Sequence, residues 1–160
     1  MSERIVVGVG EYRVAQAGAT LMAVGLGSCV AIVLHDPVHL VGGLAHALLP
    51  DPSAGRRGAN PGRFVTTALP LLLEALGGAG ADRTELNARI VGGATMFTAL
   101  SNGTSALGDR NVEAARLALA RAGIRLVGEA VGGEYGRSVF FDVAVGRVRV
   151  TSVHEADVLL

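Results

Sequence analysis

The chain has 160 residues, half of them hydrophobic but only 4% aromatic, and its fourteen basic residues balance fourteen acidic ones. That length suits a single domain over 1–160 with a real core, while zero net charge and no Lys/Arg stripe argue against nucleic-acid binding. A lone cysteine excludes an internal disulfide, and without a leader-like N-terminus or a long unbroken apolar run, a soluble cytoplasmic protein with no membrane insertion is expected.

Residues 5–15, IVVGVGEYRVA, are β-branched and then alternate, which predicts a first strand bent near Gly8 or Gly10. From Leu21 to Leu49 the chain is almost continuously apolar, broken only by HDPVH at 35–39. This predicts two buried strands joined by a turn at Asp36 and Pro37. Residues 51–62, DPSAGRRGANPG, read as a surface loop or lid. Asn60 is placed as an N-cap with Pro61 first in a helix running to about Leu76 and ending at Gly77 and Gly78. Pro70 inside that helix predicts a kink or two shorter helices. ARIVGG at 88–93 predicts a strand; 109–122 predicts a helix with Val112, Ala115, Leu119 and Ala122 on one face, ended by Gly123. Strands follow at about 124–131, 137–145 and 147–153, the last two joined at Gly146. Strands far outnumber helices, so the predicted class is α+β, a sandwich rather than a doubly wound fold.

The glycine-rich stretches do not make a dinucleotide fingerprint, because the sixth position is Arg13 after Gly8 and Val30 after Gly25. No nucleotide or other cofactor is expected. The single cysteine closes GLGSC at 25–29 and has two readings. A lone cysteine in an apolar run packs as a small hydrophobe. Alternatively, Gly25 and Gly27 permit a close backbone approach that presents the thiol beside unpaired N–H groups. A hairpin of 30–35 with 40–45, turning between Pro37 and Val38, sets Cys29 opposite His46, with Cβ atoms about 4.5 to 5.5 Å apart. A protonated imidazole there would ionise the thiol; lowering its pKa by about 1.5 units takes roughly 2 kcal/mol. His46 could then protonate a departing amine and activate water, or be simply a buried histidine bonded to the backbone. His35 and His39 flank the turn with no common zinc spacing, so exposed turn histidines and no metal are expected.

GLGSCVAIVLHDP with GGLAHALLP (25–50), GGATMF (92–97), DRNVEAARLALARAGI (109–124) and GGEYGRSVFFDVAVGRVRV (132–150) together resemble the chemoreceptor glutamine deamidase family, CheD. The resemblance implies an α/β sandwich of two packed mixed sheets flanked by two or three helices. It also implies a hydrolase that converts selected glutamines on chemoreceptor cytoplasmic helices to glutamate and ammonia, in some members with receptor methylesterase activity. Binding to a CheC-type phosphatase is a further implied property. Cys29 matches the family nucleophile and His46 its general base. Ala23 stands where the family has an orienting threonine, which implies reduced or differently supported activity. Thr20 is the nearest threonine, although an odd offset on a strand points it to the opposite face. Gly27 and Ser28 complete the candidate set as oxyanion or orienting positions: backbone N–H groups around Ser28 and Cys29 are the candidate oxyanion donors, and the Ser28 side chain is a local hydrogen-bonder rather than a nucleophile. The implied chemistry is acyl transfer through a Cys29 thioester. The rival reading is a weakly active or inactive module that docks to a CheC-type phosphatase. Arg56 and Arg57 are either contacts for an acidic receptor surface or solvated loop charges.

Overall fold

The predicted first strand is two strands that belong to different sheets. In the computed structural model, which describes residues 2–54, 58–96 and 106–160, β1 (Glu3–Val6) and β2 (Tyr12–Gln16) are separated at a turn where Gly10 adopts a left-handed φ of 81°. The apolar run from Leu21 likewise resolves into three strands rather than two: β3 (Ala19–Leu26), β4 (Val30–Asp36) and β5 (Val41–Ala47). The remaining elements are α1 (Val65–Gly78), β6 (Asn87–Gly92), α2 (Leu107–Ala122), β7 (Arg125–Val131), β8 (Arg137–Asp142), β9 (Arg147–Thr151) and β10 (Val158–Leu159).

These strands form two mixed five-stranded sheets, ordered β1-β3-β8-β9-β10 and β2-β5-β4-β6-β7, each with one parallel pair. The second sheet is the middle layer. One face meets the first sheet through Ala31, Val33, Leu44 and Val91 against Leu21, Ala23, Val139 and Phe141. The other face presents Val30, Ile32, Leu34, Ala45 and Ile90 to the two helices, whose contributions include Leu69, Leu72, Ala115 and Leu119. Burial on both faces explains the lack of alternation in β4 and β5, where every residue is buried. The two adjacent glycines of β5 serve the two faces in turn. A Cβ on Gly42 would collide with Phe141, and one on Gly43 would lie 2.7 Å from Leu72 Cδ1. Single-domain α/β sandwich architecture is therefore the observed fold, with two α-helices among the described residues.

The helix predicted to start at Pro61 departs from expectation at Pro61 and at Pro70. Asn60 caps a single 3₁₀ turn, Pro61–Arg63, by accepting from the Gly62 N–H, and α1 begins after it at Val65. Pro70 leaves α1 unbroken. The carbonyl it deprives of a partner belongs to Thr66, and both residues are exposed, so water can serve that oxygen. Arg56 and Arg57 lie outside the described residues.

Candidate active site

The segment GLGSC carries the chain from the outer sheet to the middle one. Gly25 has φ 69°, and the β3–β8 register shifts between Ala23 and Leu26, so the strand bulges and leaves its sheet. Gly27, Ser28 and Cys29 then bridge to β4. Their three carbonyls are all bonded: Gly27 O accepts from the Ala94 N–H at 2.8 Å, Ser28 O from Asn111 Nδ2 at 2.9 Å, and Cys29 O from the Gly93 N–H at 2.8 Å. Among the described residues, the Gly27 and Ser28 N–H groups have no acceptor.

The β4–β5 register is Ala31 opposite His46, not Cys29. The reason lies in the turn. Asp36 accepts from the N–H groups of both Val38 and His39 at 2.9 Å, and Leu40 takes a left-handed φ of 55°, so Asp36 pairs with Val41 around a four-residue loop. The predicted tighter turn would have paired Asp36 with His39. The displacement is two residues, and an even slip leaves every side chain on its own face. Cys29 consequently packs with Ala31 in the layer between the sheets, and His46, alternating with Ala45 and Ala47, points to the same layer as Leu44. The two are diagonal rather than direct neighbours, a wider spacing than direct opposition allows.

His46 is 4% exposed and held on three sides by the chain between β1 and β2. Its N–H donates to Glu11 O, its carbonyl accepts from the Gly10 N–H, and Nδ1 lies 3.0 Å from the Val7 carbonyl. A carbonyl can only accept, so Nδ1 carries the proton and Nε2 keeps its lone pair in the neutral ring. Cys29 is half-buried. Burial pushes its thiol above the ordinary value, partly opposed by its own N–H. The expected depression by His46 is therefore absent from the free protein, because the register separates the two groups and desolvation dominates.

The other predicted positions separate clearly. Ala23 is fully buried between the sheets. Thr20 is on the outer face of β3, its hydroxyl 2.8 Å from that of Ser2, so it cannot orient a group in the layer where His46 lies. His35 is buried rather than exposed, with Nε2 3.0 Å from Val143 O and its ring edge-on to Phe141. His39 pairs with Asp36. Among the described residues no three His, Cys, Asp or Glu side chains converge to hold a metal ion, and no helix is long and apolar enough to cross a membrane. Sequence reasoning missed two participants. The Val7 carbonyl is backbone and leaves no side-chain signal. Asn111 does leave one, because it shares the buried face of α2 with Ala115 and Leu119 at spacings of four.

Comparison with known proteins agrees with this architecture. The family model CheD, described as CheD chemotactic sensory transduction, matches residues 48–152. A Thermococcus kodakarensis protein named "Probable chemoreceptor glutamine deamidase CheD" is 45% identical over 96% of this chain and 95% of its own length. A Symbiobacterium thermophilum protein of the same name is 47% identical over 92% of this chain and 91% of its own. A Neisseria meningitidis crystal structure assigned to DUF152 shares the fold, with TM-score 0.55 at 12% identity; the match covers 83% of this chain and 65% of that one. The family match and the near-full-length relatives place this chain in the CheD family.

Proposed function

We propose that this protein is a chemoreceptor glutamine deamidase, hydrolysing protein glutamine side chains to glutamate and ammonia with Cys29 as nucleophile and His46 as general base. The observation that carries the reading is the His46 ring, which the Val7 carbonyl holds in the tautomer with a free Nε2, in the same layer as the only thiol of a CheD-family chain. In the family pattern a threonine would stand at Ala23. Here the Val7 backbone carbonyl orients His46 instead, by accepting from its Nδ1–H.

Burial lifts the Cys29 thiol above its ordinary value, so the sulfur rests protonated, and the Val7 carbonyl leaves His46 Nε2 as the atom placed to take that proton. As the glutamine side chain binds, Nε2 takes the Cys29 proton and the sulfur attacks the amide carbonyl carbon. The Gly27 and Ser28 N–H groups, which have no acceptor among the described residues, are with the Cys29 N–H the candidate donors to the oxyanion, a role typically worth about 3 kcal/mol per donor. His46 returns its proton to the departing nitrogen, the C–N bond breaks, ammonia leaves and a thioester remains. Water then gives a proton to Nε2 and attacks the thioester carbonyl, and the C–S bond breaks. The sulfur recovers the proton, leaving glutamate.

The cytoplasmic domain of a chemoreceptor is the substrate with which to test the reading. Cys29→Ala should abolish conversion of glutamine to glutamate, read by peptide mass spectrometry; unchanged turnover rejects the mechanism. The alternative is a docking module for a CheC-type phosphatase, favoured by the protonated resting thiol and by alanine at position 23. Tight phosphatase binding with no receptor deamidation would decide for it.

A further inference from the structure

We infer that Asn111 is a positioning residue that sets the orientation of the Ser28–Cys29 peptide and ties the Cys29 segment to the end of the His46 strand. The inference rests on the Cys29/His46 reading above. Asn111 is wholly buried in the first turns of α2, and its Nδ2 donates both hydrogens, to Ser28 O and to Leu48 O, each at 2.9 Å. One amide thus joins the residue before Cys29 to the residue after β5.

The planarity of the peptide bond makes this contact consequential. Ser28 C=O and Cys29 N–H belong to one rigid unit and point in opposite directions, so fixing the oxygen fixes where the N–H beside Sγ is aimed. The carbonyls on either side are held by backbone N–H groups of Gly93 and Ala94; the central one depends on the Asn111 side chain. A packing role alone does not account for an asparagine here. Its Oδ1 is buried with no partner among the described residues, a cost that an apolar side chain at that position would avoid.

Asn111→Asp keeps the shape but puts a carboxyl oxygen against two carbonyls, and Asn111→Ala removes the donors without adding charge. Leu119→Ala, on the same buried face further along α2, controls for loss of helix packing. Each variant is compared with wild type for deamidation kinetics, thermal midpoint and the rate of Cys29 alkylation by iodoacetamide without substrate. The Asn111 variants should lower kcat about 10- to 100-fold with KM changed less than about threefold, the loss expected from a misaimed donor. They should also change the alkylation rate at least about fivefold, while Leu119→Ala lowers only the midpoint. An unmoved alkylation rate, or kcat losses that merely follow the midpoint across all three variants, overturns the role of Asn111. Deamidation surviving in Cys29→Ala overturns the catalytic reading instead, and the alkylation measurement still judges Asn111.

Discussion

Replacing Asp36 by asparagine should destabilise the protein at neutral pH and matter progressively less in acid. Asp36 lies at the far end of the β4–β5 hairpin from His46 and is fully buried. Burial by itself would raise its pKa. Hydrogen bonds from the N–H groups of Asp82 and His39, the His39 imidazole and the Val38 N–H outweigh that, holding the carboxyl at about 2 against an ordinary 3.8. A difference of that size corresponds to about 2 kcal/mol of folding free energy carried by the ionised form. Because the folded value is depressed, the contribution is complete above the unfolded pKa and is lost as pH falls from about 4 towards 2. Asparagine keeps one acceptor but turns an amide donor towards the Asp82 N–H or the His39 ring. Urea unfolding followed by circular dichroism at pH 6 should therefore show a midpoint lowered by roughly 1 M at unchanged slope, taking about 2 kcal/mol per molar for a chain of this size. At pH 2.5 the gap should narrow sharply. An equal gap at both pH values, or one below about 0.5 kcal/mol at pH 6, would refute the account.

Iodoacetamide labelling of Cys29 should accelerate with pH and still be rising above pH 9, since burial lifts its thiol from 9.0; a plateau below pH 8 would contradict a protonated resting site. Gly43→Ala places a Cβ 2.7 Å from Leu72 Cδ1 and 3.2 Å from the Arg13 carbonyl, and should cost about 1 to 3 kcal/mol, seen as a drop of several degrees in calorimetry. An unchanged melting temperature would mean that α1 can move away from the sheet freely. His46→Ala should remove receptor deamidation while leaving Cys29 alkylation at high pH intact, and retention of turnover would exclude His46 as the base.

How much of the site could be read in advance depends on how local each determinant is. Face assignment is local: side chains alternate along a strand, so Cys29 and His46 reach the same layer even though the turn geometry moved their register by two residues. Exact opposition was not readable, because it required knowing that the Asp36 carboxylate would gather two backbone N–H groups and that Leu40 would turn left-handed. The direction of the Cys29 pKa is hidden from the sequence for a related reason. Electrostatic help from a histidine depends on distance, whereas burial depends on the whole surrounding layer.

The pattern of apolar runs, glycines and prolines was enough to determine a strand-dominated sandwich, the α2 helix with its Gly123 cap, and a shared face for Cys29 and His46. Which sheet each strand joins was decided only by the tertiary structure, as was the hold of Val7 on His46 and of Asn111 on Ser28. Those contacts span 39 and 83 positions of chain. A backbone carbonyl has no identity in the sequence, and a buried amide announces that it needs partners without naming them; only packing three layers together brings those partners within bonding distance.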